Sequence, residues 1–148
     1  MKTFLTFRRF HLDTLLHNYK WKGKILDIGG KRENKRGRFR PPVERVISWQ
    51  YVNIDKSTEP DFLCSADAID IPGDEIDIVL LTEVLEHLEK PSAAIVEAQR
   101  VLKPGGQLLL TMPFLCGVHG DPNDFQRWTS NKLILELQNA GFRVDQLE

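Results

Sequence analysis

The residues best suited to chemistry in this chain fall into two groups. The first is four short clusters: Asp27-Ile28-Gly29-Gly30, Asp55, Ser65-Ala66-Asp67-Ala68 and Thr82-Glu83. Carboxylates accept paired hydrogen bonds from neighbouring hydroxyls or hold a cation, and glycines let a ligand approach the backbone closely. The second is a single stretch from Met112 to Thr129 that contains His119, Asp121, Asp124 and Arg127. An imidazole titrates near neutrality and suits proton transfer. Asp121 or Asp124 can orient that imidazole or serve in its place, and Arg127 can clamp a carboxylate or phosphate on a substrate. A purely architectural use is open for the same residues: the aspartates cap turns or a helix, and Arg127 pairs with Asp124. Each fragment is weak alone. Their arrangement, several of them just past an apolar run, carries more.

Those runs define the elements that must position the chemistry. Residues 24–28 read as a short strand leading into Gly29-Gly30, and residues 51–55 as a second strand ending in a carboxylate. Residues 62–64 suit a very short third strand. Residues 76–81 are almost continuously apolar, as expected of a strand buried on both faces. Residues 107–111 and 142–147 complete the set of predicted strands. Phe4, Phe7, Phe10, Leu12, Leu15, Leu16 and Tyr19 recur at helical spacing and predict an amphipathic helix lying against the domain within residues 1–21. Val84, Leu85 and Leu88 predict a short helix capped by Thr82. A longer helix starts at Pro91, runs to Leu102 and is stopped and turned by Pro104-Gly105-Gly106. A last helix carries Leu133, Ile134, Leu137 and Ala140, capped by Thr129 or Ser130 and ended at Gly141. Strands alternating with helices predict a compact α/β fold with one doubly wound, mostly parallel sheet. Ligands then bind beyond the carboxyl ends of the strands, where the clusters lie. Residues 31–40 do not read as a regular helix. The link from Asp55 to Phe62 is short for a parallel crossover, so reduced helices are expected around the first three strands. No linker divides the chain. We read one domain over residues 1–148, with the helix in 1–21 and a cofactor-binding core in 22–148.

Five runs now stand in order: Ile25-Leu26-Asp27-Ile28-Gly29-Gly30, Asn53-Ile54-Asp55, Ala66-Asp67-Ala68-Ile69-Asp70-Ile71-Pro72, Glu83-Val84-Leu85-Glu86-His87-Leu88 and Arg100-Val101-Leu102-Lys103-Pro104-Gly105-Gly106. This series resembles the motifs of class I S-adenosylmethionine-dependent methyltransferases, most closely the type 11 family, over about residues 22–147. The resemblance implies a Rossmann-like methyltransferase fold and S-adenosylmethionine as cofactor. It implies that Asp27 and Gly29, with Gly30 beside them, flank the amino-acid end of the cofactor, that Asp55 holds its ribose, and that Asp67 and Ala68 lie against its adenine. Thr82 and Glu83 would stand near the sulfonium. An acidic pocket suits a ligand with a sulfonium, an ammonium and no phosphate, and would repel a pyrophosphate. The dinucleotide signature G-x-G-x-x-G is missing, because Gly29-Gly30 is followed by Lys31-Arg32-Glu33-Asn34-Lys35-Arg36. Methyl transfer is an in-line displacement that needs alignment and, for a hydroxyl acceptor, a base. His119 is the leading candidate for that base, with Asp121 and Asp124 as partners or substitutes and Arg127 on the acceptor. Residues Thr82-Glu83-Val84-Leu85 do not resemble the Asn/Asp-Pro-Pro-aromatic motif of enzymes that methylate amino groups of bases. The family usually adds an antiparallel hairpin after the last strand read here, so an uncovered sheet edge is expected, closed by a second copy of the chain or by the N-terminal segment.

Composition narrows the classes. At 148 residues, 41% hydrophobic and 28% charged, the chain is ordinary globular protein. Cys64 and Cys116 are too few for a disulfide framework and lack metal-ligand spacing, so no metal is assigned and a reducing, cytoplasmic location is expected. No apolar run approaches a membrane span. Up to Arg45 there are 13 Lys/Arg against 4 Asp/Glu, and beyond it 7 against 17, so a basic head joins an acidic body. Six of the basic residues lie between positions 31 and 40. A solvated charge run is the default for these, and a phosphate-bearing acceptor is the functional reading. The expectation is methylation of oxygen on a small-molecule, glycan or lipid-type acceptor. Two alternatives stand beside it: a binding module without turnover, and an enzyme directed at RNA through the basic stretch. His87 is expected to hydrogen-bond a backbone carbonyl or pack beside the pocket, and His11 and His17 to lie on the surface.

Overall fold

A computed structural model describes residues 5–33, 35, 37–120 and 123–148. Phe4 of the amphipathic pattern and the candidate Asp121 fall outside the described residues. Five strands form one parallel sheet: β1 (Lys24–Ile28), β2 (Ser48–Asn53), β3 (Phe62–Leu63), β4 (Ile76–Thr82) and β5 (Leu102–Thr111). Their spatial order is β3-β2-β1-β4-β5. The chain therefore lays down β1 to β3 in one direction, then returns to the other side of β1. That reversal opens a crevice between the ends of β1 and β4, where an α/β sheet binds its ligand.

Each strand sends alternate side chains to opposite faces, and the two faces are covered differently. Leu26, Ile28, Val52, Val79 and Leu81 point into an aliphatic core with Ala94, Ile95, Ala98 and Val101 of helix α2 (Pro91–Val101). Leu133 and Leu137 of α3 (Ser130–Asn139) close its margin. On the other face Ile25, Trp49, Tyr51, Ile78 and Leu80 meet Leu12 and Leu16 of α1 (Phe7–Asn18), with Tyr19, Trp21 and Phe39 packed around them. Trp21 crosses Trp49 edge-on with ring centroids 4.8 Å apart. Such aromatic pairs are favoured beyond the area they bury.

Most predicted elements are present, with four corrections. Residues 84–88 do not form a helix capped by Thr82. Leu85–His87 make one 3-10 turn preceded by Val84, with no side-chain cap, and Thr82 ends β4. Pro104-Gly105-Gly106 is not what stops the helix and turns the chain into the strand: α2 ends at Val101, β5 starts at Leu102, and the three residues lie inside β5. Ile76 pairs with Leu102 and Ile78 with Gln107, so the extra residues bulge out while the ladder continues on both sides. Gly105 takes up the bulge with φ +77. The predicted strand 142–147 is absent. Gly141, at φ +92, ends α3, the Phe142 N–H donates to the carbonyl of Leu137, and Arg143 pairs with Asp145. No residue of the segment pairs with a strand, so β5 is the edge strand of the described sheet. In α1, finally, only part of the apolar pattern is buried: Phe7 is 85% exposed, whereas Leu12 and Leu16 form the contact.

Candidate functional site

A cleft of about 310 Å3 opens at the crevice between β1 and β4, large enough for a small ligand. Asp27, Gly29, Gly30, Thr82 and Glu83 line it, as the sequence indicates. Asp27 comes from the last part of β1 on the aromatic face, where its carboxylate is buried and accepts a hydrogen bond from Trp49 Nε1 at 3.2 Å. Burial raises its pKa to about 6, against the opposing pull of Lys35 and the Trp49 hydrogen bond. A Cβ added to Gly30 would stand 2.3–2.5 Å from the Asp27 carboxylate atoms, so glycine is what lets the loop close over that group. Gly29 has φ +78 and a Cβ there would also strike Val84.

The opposite rim is formed by Glu83, whose backbone has φ +56. Its N–H donates to the carbonyl of Thr111, the Thr111 hydroxyl donates to Glu83 Oε1 at 3.0 Å, and Arg8 of α1 forms an ion pair with the same carboxylate. Two basic residues of the 31–40 stretch also line the cleft, Lys31 and Lys35. Lys35 donates to the Tyr51 hydroxyl at 3.1 Å and lies over the Tyr51 ring. Burial lowers the Lys35 pKa and pushes the Tyr51 phenol up to about 12.

Three further sequence candidates sit beside the lining rather than in it. Asp55 is exposed and caps a 3-10 turn, accepting from the Ser57 N–H and hydroxyl, and these bonds hold its carboxyl below the usual range. Asp67 accepts from Ser65, and Ala68 is exposed. Their neighbours Asn53, Ile54, Ser65 and Ala66 line the cleft in their place. The Asn53 amide donates to the carbonyl of Gly30 at 3.0 Å, tying the end of β2 to the glycine loop.

His119, Asp124 and Arg127 are brought together a short distance away. The Arg127 guanidinium donates from both terminal nitrogens to Asp124, and the His119 N–H donates to Asp124 Oδ2 at 2.7 Å. The Arg127 bonds, followed by the His119 one, hold the Asp124 carboxyl far below the usual range. The architectural pairing of Arg127 with Asp124 is therefore the one observed. His119 Nδ1 lies 3.0 Å from the carbonyl of Gly117 and 3.5 Å from Asp124 Oδ2. A carbonyl can only accept, so Nδ1 carries the proton in the neutral ring and Nε2 keeps its lone pair. His87 connects this cluster to the cleft, which it lines. Its Nδ1 meets the carbonyl of Asn123 at 2.5 Å, the backbone bond expected for it, and its ring stands edge-on to that of His119 at 5.3 Å.

Reasoning from sequence missed Glu86. It is completely buried beside His87, and neither carboxylate oxygen has a hydrogen-bond partner. Burial raises its pKa. Its only visible signal was adjacency to His87 in an otherwise apolar run.

A methyltransferase-domain family matches residues 6–147, nearly the whole chain. A ubiquinone/menaquinone biosynthesis C-methyltransferase from Paraburkholderia phymatum is 40% identical over 58 residues, which is 38% of this chain and 24% of that relative's length. Among solved structures, a putative methyltransferase from Bacillus halodurans superposes with a TM-score of 0.70 at 17% identity, covering 92% of this chain and 69% of its own. The putative methyltransferase in complex with the Haloferax volcanii Trm112 methyltransferase activator gives 0.71 at 16% identity, covering 94% and 70%. The structural likenesses bear on the fold, and the family match bears on the kind of domain.

Proposed function

We propose, from the premise that the chain belongs to this methyltransferase-domain family, that it transfers a methyl group from S-adenosylmethionine to a hydroxyl oxygen of a small-molecule, glycan or lipid-type acceptor. The observation that carries the reading is the buried Asp27 carboxylate beneath the Gly29-Gly30 loop, at the reversal point of the sheet. A carboxylate held out of water in a cleft lined by glycine backbone fits an ammonium-bearing amino-acid end better than a phosphate. When bound, S-adenosylmethionine supplies an electrophilic methyl on a cationic sulfur.

The chain's own residues do the remaining work. Asp27 receives the positive end of the ligand. Asn53 and Ile54 form the adjoining floor, and Asp55, next along the chain, turns from Ser57 to the ribose hydroxyls. Ser65 and Ala66 line the side nearest Asp67 and Ala68, the pair proposed to border the base. Thr82 and Glu83 form the wall toward the acceptor. His119, its Nδ1–H held by Gly117, takes the acceptor's proton on Nε2. Asp124 orients His119, and Arg127 fixes Asp124; Asp121 stays a second candidate for the same work. A carbon acceptor, as in the curated relative, would make less use of an imidazole lone pair beside the cleft.

Calorimetric titration with S-adenosylhomocysteine tests the binding half, with one site of micromolar affinity expected; no heat at millimolar ligand would end it. Labelled-methyl transfer to a panel of hydroxyl acceptors tests the chemistry. In the His119→Ala variant, ligand affinity should stay within twofold while turnover falls at least a hundredfold. Labelling at carbon alone would overturn the oxygen assignment and leave the methyltransferase reading intact.

A further inference from the structure

Glu86 poses a problem that methyl transfer does not solve. A carboxylate with no solvent contact and no hydrogen bond is costly, and such groups are ordinarily paired or hold a metal. The groups around it are specific. His87 Nε2 lies 3.6 Å from Glu86 Oε1, and one ligand atom from each of Glu86, His87 and His119 lies within 4.8 Å of the other two. Both rings turn Nδ1 to a backbone carbonyl, His87 to Asn123 and His119 to Gly117. That is the outer-shell arrangement of metal-binding histidines: it fixes the tautomer and leaves Nε2 as the donor.

We infer that Glu86, His87 and His119 form a binding site for a divalent transition-metal ion of the zinc class, open to the ligand cleft through His87. Two neutral imidazoles and one carboxylate make a nitrogen-rich set that suits zinc or its neighbours and does not suit magnesium or calcium, which take oxygen ligands. Metal–ligand bonds of ~2.0–2.2 Å place ligand atoms roughly 3–3.5 Å apart, so the triad closes by about 1 Å of side-chain movement. The local charge agrees. Glu86 and Asp124 bring two negative charges, and Arg127 brings one positive charge already engaged by Asp124. Cys116 is adjacent, its Sγ 3.8 Å from His119 Nδ1, on the nitrogen that faces away from donor duty. The site spans the 3-10 turn after β4 and the 112–129 segment, which already meet through the Phe125 N–H on the Glu86 carbonyl and the Gln126 amide on the Leu85 and Leu88 carbonyls, so an ion would add a side-chain tie to an existing contact. The lone pair that holds a cation cannot take a proton at the same moment. Metal loading and use of His119 as a base therefore alternate, and that last statement rests on the proposed function; the binding site does not.

The test uses untagged protein stripped with chelator and titrated with zinc chloride, with and without excess magnesium. One-to-one binding at micromolar affinity or tighter, indifferent to magnesium, is expected. His87→Ala, His119→Ala and Glu86→Gln should each weaken it at least tenfold, whereas Cys116→Ser should leave it within threefold. Circular dichroism reports whether each variant folds. Cobalt(II) added to the unmodified protein needs no variant: visible bands without a thiolate charge-transfer band are expected. Absence of stoichiometric binding, zinc affinity unmoved by the three ligand variants, or a thiolate–cobalt band would each overturn the inference.

Discussion

The two walls of the cleft are made in different ways. The β1–β2 wall is backbone held by a parallel ladder: Lys24 to Ile28 pair residue for residue with Ser48 to Val52, and Asn53 bonds the glycine loop directly. Its carboxylate, Asp27, is fixed by burial and by the Trp49 hydrogen bond. The wall beyond β4 is made of side chains on irregular segments: Glu83 and His87 line the cleft, and His119, Asp124 and Arg127 stand behind His87, bonded to one another and to nearby carbonyls. A ladder fixes atoms through many shared bonds, whereas a side-chain network can be altered one residue at a time. The first design suits a part of the ligand that never varies, and the second suits an acceptor.

Substitutions can separate the walls, and the largest effect is expected at Gly30. Gly30→Val drives a side chain into the Asp27 carboxylate. S-adenosylhomocysteine affinity should fall at least thirtyfold, with a stability loss of about 1–3 kcal/mol in urea unfolding from forced displacement. Asp27→Asn comes next, with roughly a tenfold loss of affinity and a change in pH dependence. Because burial raises the Asp27 pKa to about 6, its charged form, the one a cationic ligand needs, is completed only as pH rises through that value. Wild-type affinity should therefore climb between pH 5 and 7, and the climb should disappear in the variant. The contribution of Asp27 to unliganded stability runs the other way: it is full below its ordinary value of 3.8 and is lost as pH rises through about 6. The variant should consequently be no less stable than wild type at pH 7. Arg127→Ala, on the other wall, leaves the Asp124 carboxylate without its main partner. Thermal melting should drop by a few degrees while affinity stays within twofold. A tenfold loss of affinity there would mean that the walls are not independent. Arg8→Ala removes the α1 ion pair to the partly exposed Glu83 and should shift affinity by less than twofold, since such pairs are weak.

The same contrast explains what the sequence discloses. β1 and β4 are legible because they are buried apolar runs, and the last helix because Thr129 accepts from the Lys132 N–H as a cap should. β2 begins earlier than expected, since Ser48 and Gln50 break the apolar run while the ladder with Lys24 and Leu26 includes them. Pro104-Gly105-Gly106 reads as a turn in isolation, and only the partner strand β4 shows it to be a bulge. On the backbone wall, Asp27, Gly29 and Gly30 are all found from position at the end of a strand. On the side-chain wall Glu83, His119, Asp124 and Arg127 are visible but their pairings are not, and Glu86 is missed. Arg127 three residues after Asp124 fits either a clamp or an internal ion pair. Burial of Glu86 depends on a 3-10 turn whose formation no local pattern dictates.

Glu83 occupies a left-handed backbone conformation in which glycine would be at ease, and it does so at the rim of the cleft. Selection for heat resistance alone, blind to ligands, would tend to replace it with glycine and remove the carboxylate that Thr111 and Arg8 hold in place. Toughness and usefulness thus pull this one position in opposite directions, and a laboratory programme aimed at hardier variants should leave it untouched.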